Sequence, residues 1–381
     1  MIQRHGTVDW QRYRTEFPVT ERHIYFNNAA ISPLSTRVCN AIQEVSEALA
    51  RDGILCEKQI FGRMEEIRGM VATFVGADPD EIAFIKNTSQ GINQVAGGIH
   101  WQSGDNVVMP GNEFPANVYP WMALARRGVE LRMIPPDGNK VTASMLQRAC
   151  NDRTRVVTVS HVQFSTGYRI DLKSLGLFCR ERGIYLHVDG IQALGALQCD
   201  VRKLEIDFLS CGGHKWLCAT PGLGFFYCRK ELLDEIDVVN PGWTGVVNPM
   251  EFLSYDLSYR NEAARFEEGA LNLHGIFALG ASVERFLEIG MDRIEDRILS
   301  LTTLLERGLI ERGYTLTSPR SEGEVSGIIC FAHPGSDTEA LQETLTDAGV
   351  ISSLRNGTIR LSPHFYNNEA EVARVLEILS R

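Results

Sequence analysis

Between residues 80 and 230 seven short apolar runs (EIAFIKN, DNVVMPG, VELRMIP, TRVVTVSHV, GIYLHVDG, DFLSCGG and GLGFFYC) alternate with segments of helical character. This alternation restricts the fold more than any other feature of the chain. A strand buried on both faces reads as a nearly continuous apolar run, and parallel strands need a crossover long enough to hold a helix. The pattern predicts an α/β lobe with a mostly parallel, seven-stranded sheet and helices on both faces. SQGINQVAGGI supplies one helix, with Ile92, Val95, Ala96 and Ile99 on one face. ANVYPWMALARRG and LKSLGLFCRERG supply two more.

After about residue 262 the pattern changes. One long helical stretch from Gly275 to Gly313 leads into the strand SGIICFAHP, then the helix TEALQETLTDAG, the strand TIRLSPHFY and a closing helix EAEVARVLEILSR. This predicts a smaller α+β lobe. The expected division is a large domain over 21–262 and a small one formed by 1–20 and 263–381, the first twenty residues making an arm or short helix against another part of the molecule. The segment VNPGWTGVVNPMEFLSYDLSYRNEA between the lobes has little periodicity. A long loop in such a place usually serves function or oligomer contact.

Composition narrows the classes of partner. The net charge of −10 argues against nucleic acid and against docking on anionic lipid. Nine cysteines are scattered without a C-x-x-C pair, which speaks against a zinc or redox framework, and no metal is expected. The start MIQRHGTVDW lacks the apolar stretch of a signal peptide, and no run of about 18 apolar residues occurs. A reducing cytoplasm is the expected compartment.

The chemistry concentrates in FLSCGGHKWLCATPGLGFFYC, where Lys215 lies between two apolar runs. Desolvation lowers an amine's pKa, and a neutral amine attacks aldehydes. Upstream, the strand in GIYLHVDG ends at Asp189. A buried lysine and a strand-end carboxylate suit a Schiff-base amine and the partner of a pyridinium nitrogen, and so pyridoxal 5′-phosphate (PLP). Thr88 and Ser89 stand where a strand turns into a helix, a site suited to phosphate; plain helix capping is the simpler alternative. Gln192 could reach a ring hydroxyl. His187 shares a face with Asp189, as a supporting partner or as an ordinary core histidine. Phe114, after DNVVMPG, could stack on a ring or simply pack. Arg360 lies within an apolar strand and Arg355 five residues earlier, and a guanidinium fork matches a carboxylate. There is no G-x-G-x-x-G after a strand, no G-x-x-x-x-G-K-[ST], no G-x-S-x-G and no H-E-x-x-H.

These pieces, in this order, resemble the class V aminotransferases, a fold-type I PLP group that includes cysteine desulfurases, kynureninase and isopenicillin N epimerase. The resemblance runs from YFNNAAISPLS to the last helix and is carried by NTSQGINQVA, EFPANVYPW, HVQFSTG, HVDGIQALG, GGHKW, RFEEGALN and IRLSPHFYN. It implies Lys215 as the Schiff-base lysine, Asp189 as the pyridinium partner and Gln192 at the ring oxygen. Thr88, Ser89 and His214 would hold the phosphate, Phe114 would stack on the ring, and Arg360, with Arg355 and Asn28, would receive the substrate. It also implies a homodimer with active sites at the interface, Trp243 and Asn272 entering the neighbouring site.

Three departures matter. Phe114 stands where desulfurases usually have histidine. The stretch ISSLRNGTIRLSPHF is compact and lacks the nucleophilic cysteine those enzymes carry. Gly212 and Ala270 replace a serine and a threonine that commonly meet the phosphate. The expected function is PLP-dependent chemistry on an amino acid, a small-molecule substrate, after loss of the Cα proton, with a lyase cleaving a Cβ–S or other Cβ–heteroatom bond first. An aminotransferase comes next, then an epimerase or kynureninase-like hydrolase, and last a non-catalytic member of the family.

Overall fold

The computed structural model describes residues 8–380. A two-residue strand, β1 (Ile24–Tyr25), opens the chain's sheet structure. The large sheet is built from β2 (Ile82–Ile85), β3 (Asn106–Pro110), β4 (Glu130–Ile134), β5 (Thr154–Ser160), β6 (Tyr185–Asp189), β7 (Phe208–Gly212) and β8 (Gly224–Cys228). These match the seven apolar runs of the sequence. Their order is β2-β8-β7-β6-β5-β3-β4. Only β8 pairs antiparallel with its neighbours, so the other six run in one direction.

Side-chain alternation explains why the runs are continuously apolar. Val157, Val159, Leu186, Val188 and Leu209 face one core, while Val107, Met109, Val156, Phe208 and Phe226 face a second core on the other side. Strands covered on both sides have no polar face to display.

Downstream, β9 (Thr315–Leu316), β10 (Ile329–Ala332), β11 (Val350–Ile351), β12 (Ser353–Arg355) and β13 (Thr358–Leu361) follow. Four of them form an antiparallel sheet ordered β12-β13-β10-β9, while β11 pairs in parallel with β1. Leu301, Leu305, Phe331, Ile359, Leu361, Val372 and Val375 pack a separate core there, and Phe26 joins it.

Two expectations about helices need correction. The stretch from Gly275 to Gly313 is two helices, Leu273–Ile289 and Met291–Glu311, broken at Gly290 with φ +95°. A left-handed backbone residue cannot continue a right-handed helix. ANVYPWMALARRG forms three short helical turns, Pro115–Asn117, Tyr119–Met122 and Ala123–Arg127, in place of one helix. Within the amino-terminal arm, Trp10–Arg14 is a short helix; Trp10 packs against Phe365, and Phe17 stacks on Tyr366 at 4.0 Å. The arm's first seven residues lie outside the described ones.

Candidate active site

Because β8 alone is reversed, the carboxyl ends of β2, β3, β5, β6 and β7 open on the same side of the sheet. This edge is where open α/β sheets place their ligands. Thr88 and Ser89 follow β2, Phe114 follows β3, Phe164 follows β5, Asp189 ends β6, and His214 and Lys215 follow β7. With Gln192, Arg355 and Arg360 they line one cavity of about 300 Å³. A larger groove of about 930 Å³ elsewhere is flanked by Arg37 and Glu284, which pair with each other. The chemistry is in the smaller cavity.

Asp189 is buried, and its Oδ1 accepts the Ile191 N–H at 2.9 Å. Burial pushes its carboxyl up to about 6, against the Ile191 N–H and the Lys215 charge. Lys215 is pulled down to about 8, chiefly by burial; Asp189 opposes this, while Arg360 and Arg355 add to it. Its Nζ lies 5.4 Å from the Phe114 ring centroid. The amine is half-buried and opens onto the cavity, so it is less enclosed than its apolar flanks suggest.

The capping alternative at Thr88 and Ser89 falls to Asn87. Its Oδ1 accepts the Gln90 N–H at 3.0 Å and caps the helix Thr88–Gly98, which leaves the two hydroxyls in the first turn free of that duty. Thr88 Oγ1 accepts the Gly212 N–H at 3.0 Å. A Cβ on Gly212 would sit 3.3 Å from that oxygen and 3.4 Å from His214 Nδ1. The glycine that replaces the common serine therefore relieves a slightly tight fit against Thr88 Oγ1.

His187 proves to be a satisfied core histidine, between Thr158 Oγ1 at 2.9 Å and Ser210 Oγ at 3.0 Å, with its pKa lowered to about 3 by burial. Gln192 donates to the Ala29 carbonyl and accepts from Trp216 Nε1 at 2.9 Å, which fixes its amide at the wall. Arg360 is buried; Nη1 donates to the Phe164 carbonyl and Nε to Ser353 Oγ, while Nη2 has no partner. On a residue that lines the cavity, this spare guanidinium donor is available to an anion from outside the chain.

Three expected residues do not line this chain's cavity, and two of them, Trp243 and Asn272, are those expected to enter the neighbouring site. Asn28 is fully buried behind the wall, donating to the Ser362 carbonyl and accepting from Ser32 and Tyr366, so its amide is spent on folding rather than substrate. Asn272 caps the helix Leu273–Ile289 and, with Trp243, lies outside this chain's cavity. Phe164, which meets Phe114 edge-on at 5.2 Å, was not anticipated; its signal was an aromatic four residues after the end of strand β5. Glu113, next to Phe114, ties the end of β3 to the end of β5: it accepts from Ser160 N at 2.7 Å and from Ser160 Oγ, and burial pushes its carboxyl up to about 7.

The set fits PLP. A helix amino terminus with two hydroxyls suits the phosphate, a buried carboxylate suits the pyridinium nitrogen, and a lysine of lowered pKa suits the aldehyde.

The family model described as Aminotransferase class-V matches residues 24–375. The chain belongs to the class V aminotransferase family. A probable cysteine desulfurase of Methanothermobacter thermautotrophicus is 30% identical to this family member over 390 aligned positions, covering 96% of each chain. An uncharacterized aminotransferase of Bacillus subtilis is 27% identical, covering 96% of each. Among solved structures, the apo cysteine desulfurase of Thermococcus onnurineus superposes with a TM-score of 0.89 at 27% identity, covering 99% of this chain and 98% of that one.

Proposed function

We propose that this class V family member is a PLP-dependent lyase that cleaves a Cβ–S or other Cβ–heteroatom bond of an amino acid. The observation that carries this reading is the convergence of Lys215, Asp189 and the unpartnered Arg360 Nη2 on one cavity. When bound, PLP supplies an aldehyde for the substrate amine and a ring that accepts electron density from Cα. Arg360 receives the substrate carboxylate. Lys215, as a neutral amine, takes the Cα proton. Asp189 would partner the ring nitrogen and keep it protonated, and Phe114, on the same cavity, would cover the ring.

The relatives named cysteine desulfurase support chemistry at Cβ–S. A persulfide on this chain has little support, because none of the nine cysteines lines the cavity. The tight hairpin before Arg360 also leaves no loop to carry one. The sulfur or other heteroatom then leaves as a free product. Transamination is the second reading, favoured by relatives named aminotransferase and by Phe114 in place of the histidine usual in desulfurases.

We also propose a cytoplasmic homodimer, with Trp243 and Asn272 contributing to the partner's site. Val247, Met250, Phe252, Leu253, Tyr255 and Leu257 are exposed on the segment after Trp243. Apolar residues in a row on a surface call for cover.

The test is incubation of the PLP-loaded protein with a panel of amino acids. Sulfide or ammonia released with a keto acid, without any added 2-oxo acid, supports the lyase. Turnover that requires an added 2-oxo acid overturns it in favour of transamination.

A further inference from the structure

The site holds a second guanidinium that the steps above do not use. Strands β12 and β13 are joined by a two-residue turn, Asn356–Gly357, with φ +49° and +74°. Such a turn fixes register tightly. Ser353 lies opposite Arg360, and Arg355 lies opposite Thr358. Side chains opposite each other, and those two apart on a strand, share a face. Arg355 and Arg360 are therefore diagonal neighbours on one face of the hairpin, and that face looks into the cavity. Leu354 and Ile359, between them in sequence, point to the opposite face and its apolar core.

Two cations on one sheet face repel each other. Among the described residues no ion pair offsets this: Arg355 Nη1 donates only to the adjacent Leu354 carbonyl, and Arg360 donates only to the Phe164 carbonyl and Ser353 Oγ. Each also lowers the pKa of Lys215. Arg360 is 1% exposed, whereas Arg355 is half-buried and so closer to solvent. The two charges are thus set at different depths.

We propose that the substrate is an amino acid whose side chain carries a second anionic group, with Arg360 receiving the α-carboxylate and Arg355 the side-chain anion. This rests on the functional reading above and narrows its substrate class. An anion at each guanidinium replaces mutual repulsion with two charge-assisted contacts. A substrate with a neutral side chain leaves Arg355 facing the positive Arg360.

The test is calorimetric binding of succinate and of propionate to the PLP-loaded protein, probes that carry two carboxylates and one. Wild type is expected to bind succinate about tenfold more tightly or better, the worth of one charge-assisted contact. In Arg355→Met succinate binding falls about tenfold while propionate stays within about twofold; Arg360→Met weakens both. Equal binding of the two probes to wild type would overturn the proposal. So would an equal loss of both in Arg355→Met, which would mean that the two guanidiniums grip one carboxylate. The visible band of the bound cofactor is read in the same samples: its absence from wild type strikes the PLP reading, whereas the succinate-to-propionate ratio reads Arg355 alone.

Discussion

Replacing Lys215 by methionine should stabilise the cofactor-free protein at neutral pH. The amine is pulled down to about 8, first by burial and further by Arg360 and Arg355. At pH 7 about a tenth of the molecules then carry it neutral, against roughly one in 2,500 for an ordinary lysine. The same displacement is a cost of folding. The full difference from an unfolded lysine is ~3 kcal/mol, and water in the open cavity screens it to about 1–3 kcal/mol. Methionine keeps the length and removes the charge. It gives up the contact with the Phe114 ring at 5.4 Å, worth about 0.5–1 kcal/mol. The gain survives that loss.

The pH dependence gives the sharper check. The folded chain holds this proton less tightly than the unfolded chain, so unfolding takes up a proton at pH values between the two pKa values. The penalty is complete below about pH 8, shrinks as the pH rises towards 10.5, and is absent above. Urea unfolding of cofactor-free wild type and Lys215→Met at pH 7 and pH 9.5 measures it. With the lost ring contact subtracted, the variant should be more stable by about 1–2 kcal/mol at pH 7, and the gap should narrow at the higher pH. A variant that is less stable at pH 7, or a gap that does not move with pH, would refute the claim that the fold forces this amine towards neutrality.

Three further substitutions test the frame around the site. Thr88→Val removes the hydroxyl that accepts the Gly212 N–H, and PLP titration should show affinity about tenfold weaker, the value of roughly one buried hydrogen bond. Arg68→Met leaves Glu267 buried without its 2.6 Å partner, although Glu267 still accepts the Phe84 N–H on β2; the unfolding free energy should drop by about 3–5 kcal/mol. Gly195 has φ +97°, and a Cβ there would stand 2.1 Å from the Trp216 carbonyl. Gly195→Ala should therefore lower the melting temperature and also weaken PLP binding, since Trp216 holds the amide of Gln192.

The strands were readable because burial on both faces leaves an unbroken apolar signature, and Asp189 and Lys215 were readable because each ends or follows such a run. The helix Thr36–Asp52 was missed although Ser35 caps it and Val38 and Val45 are buried on one side; its exposed face dilutes the apolar signal. Asn28 marks a different limit. Its neighbour Ala29 lines the cavity while the Asn28 amide turns inward to Ser362, Ser32 and Tyr366. All of those partners except Ser32 lie more than 300 positions away, so no local pattern could reveal that the amide was already spent. Arg355 shows the opposite case. Asn356–Gly357 is a turn signal of the strongest kind, and a two-residue turn dictates that the residue before it and the arginine three positions after it share a face. The pairing of the two guanidiniums was therefore implicit in R-N-G-T-I-R, but the fold was needed to show that their common face is the one turned towards Lys215.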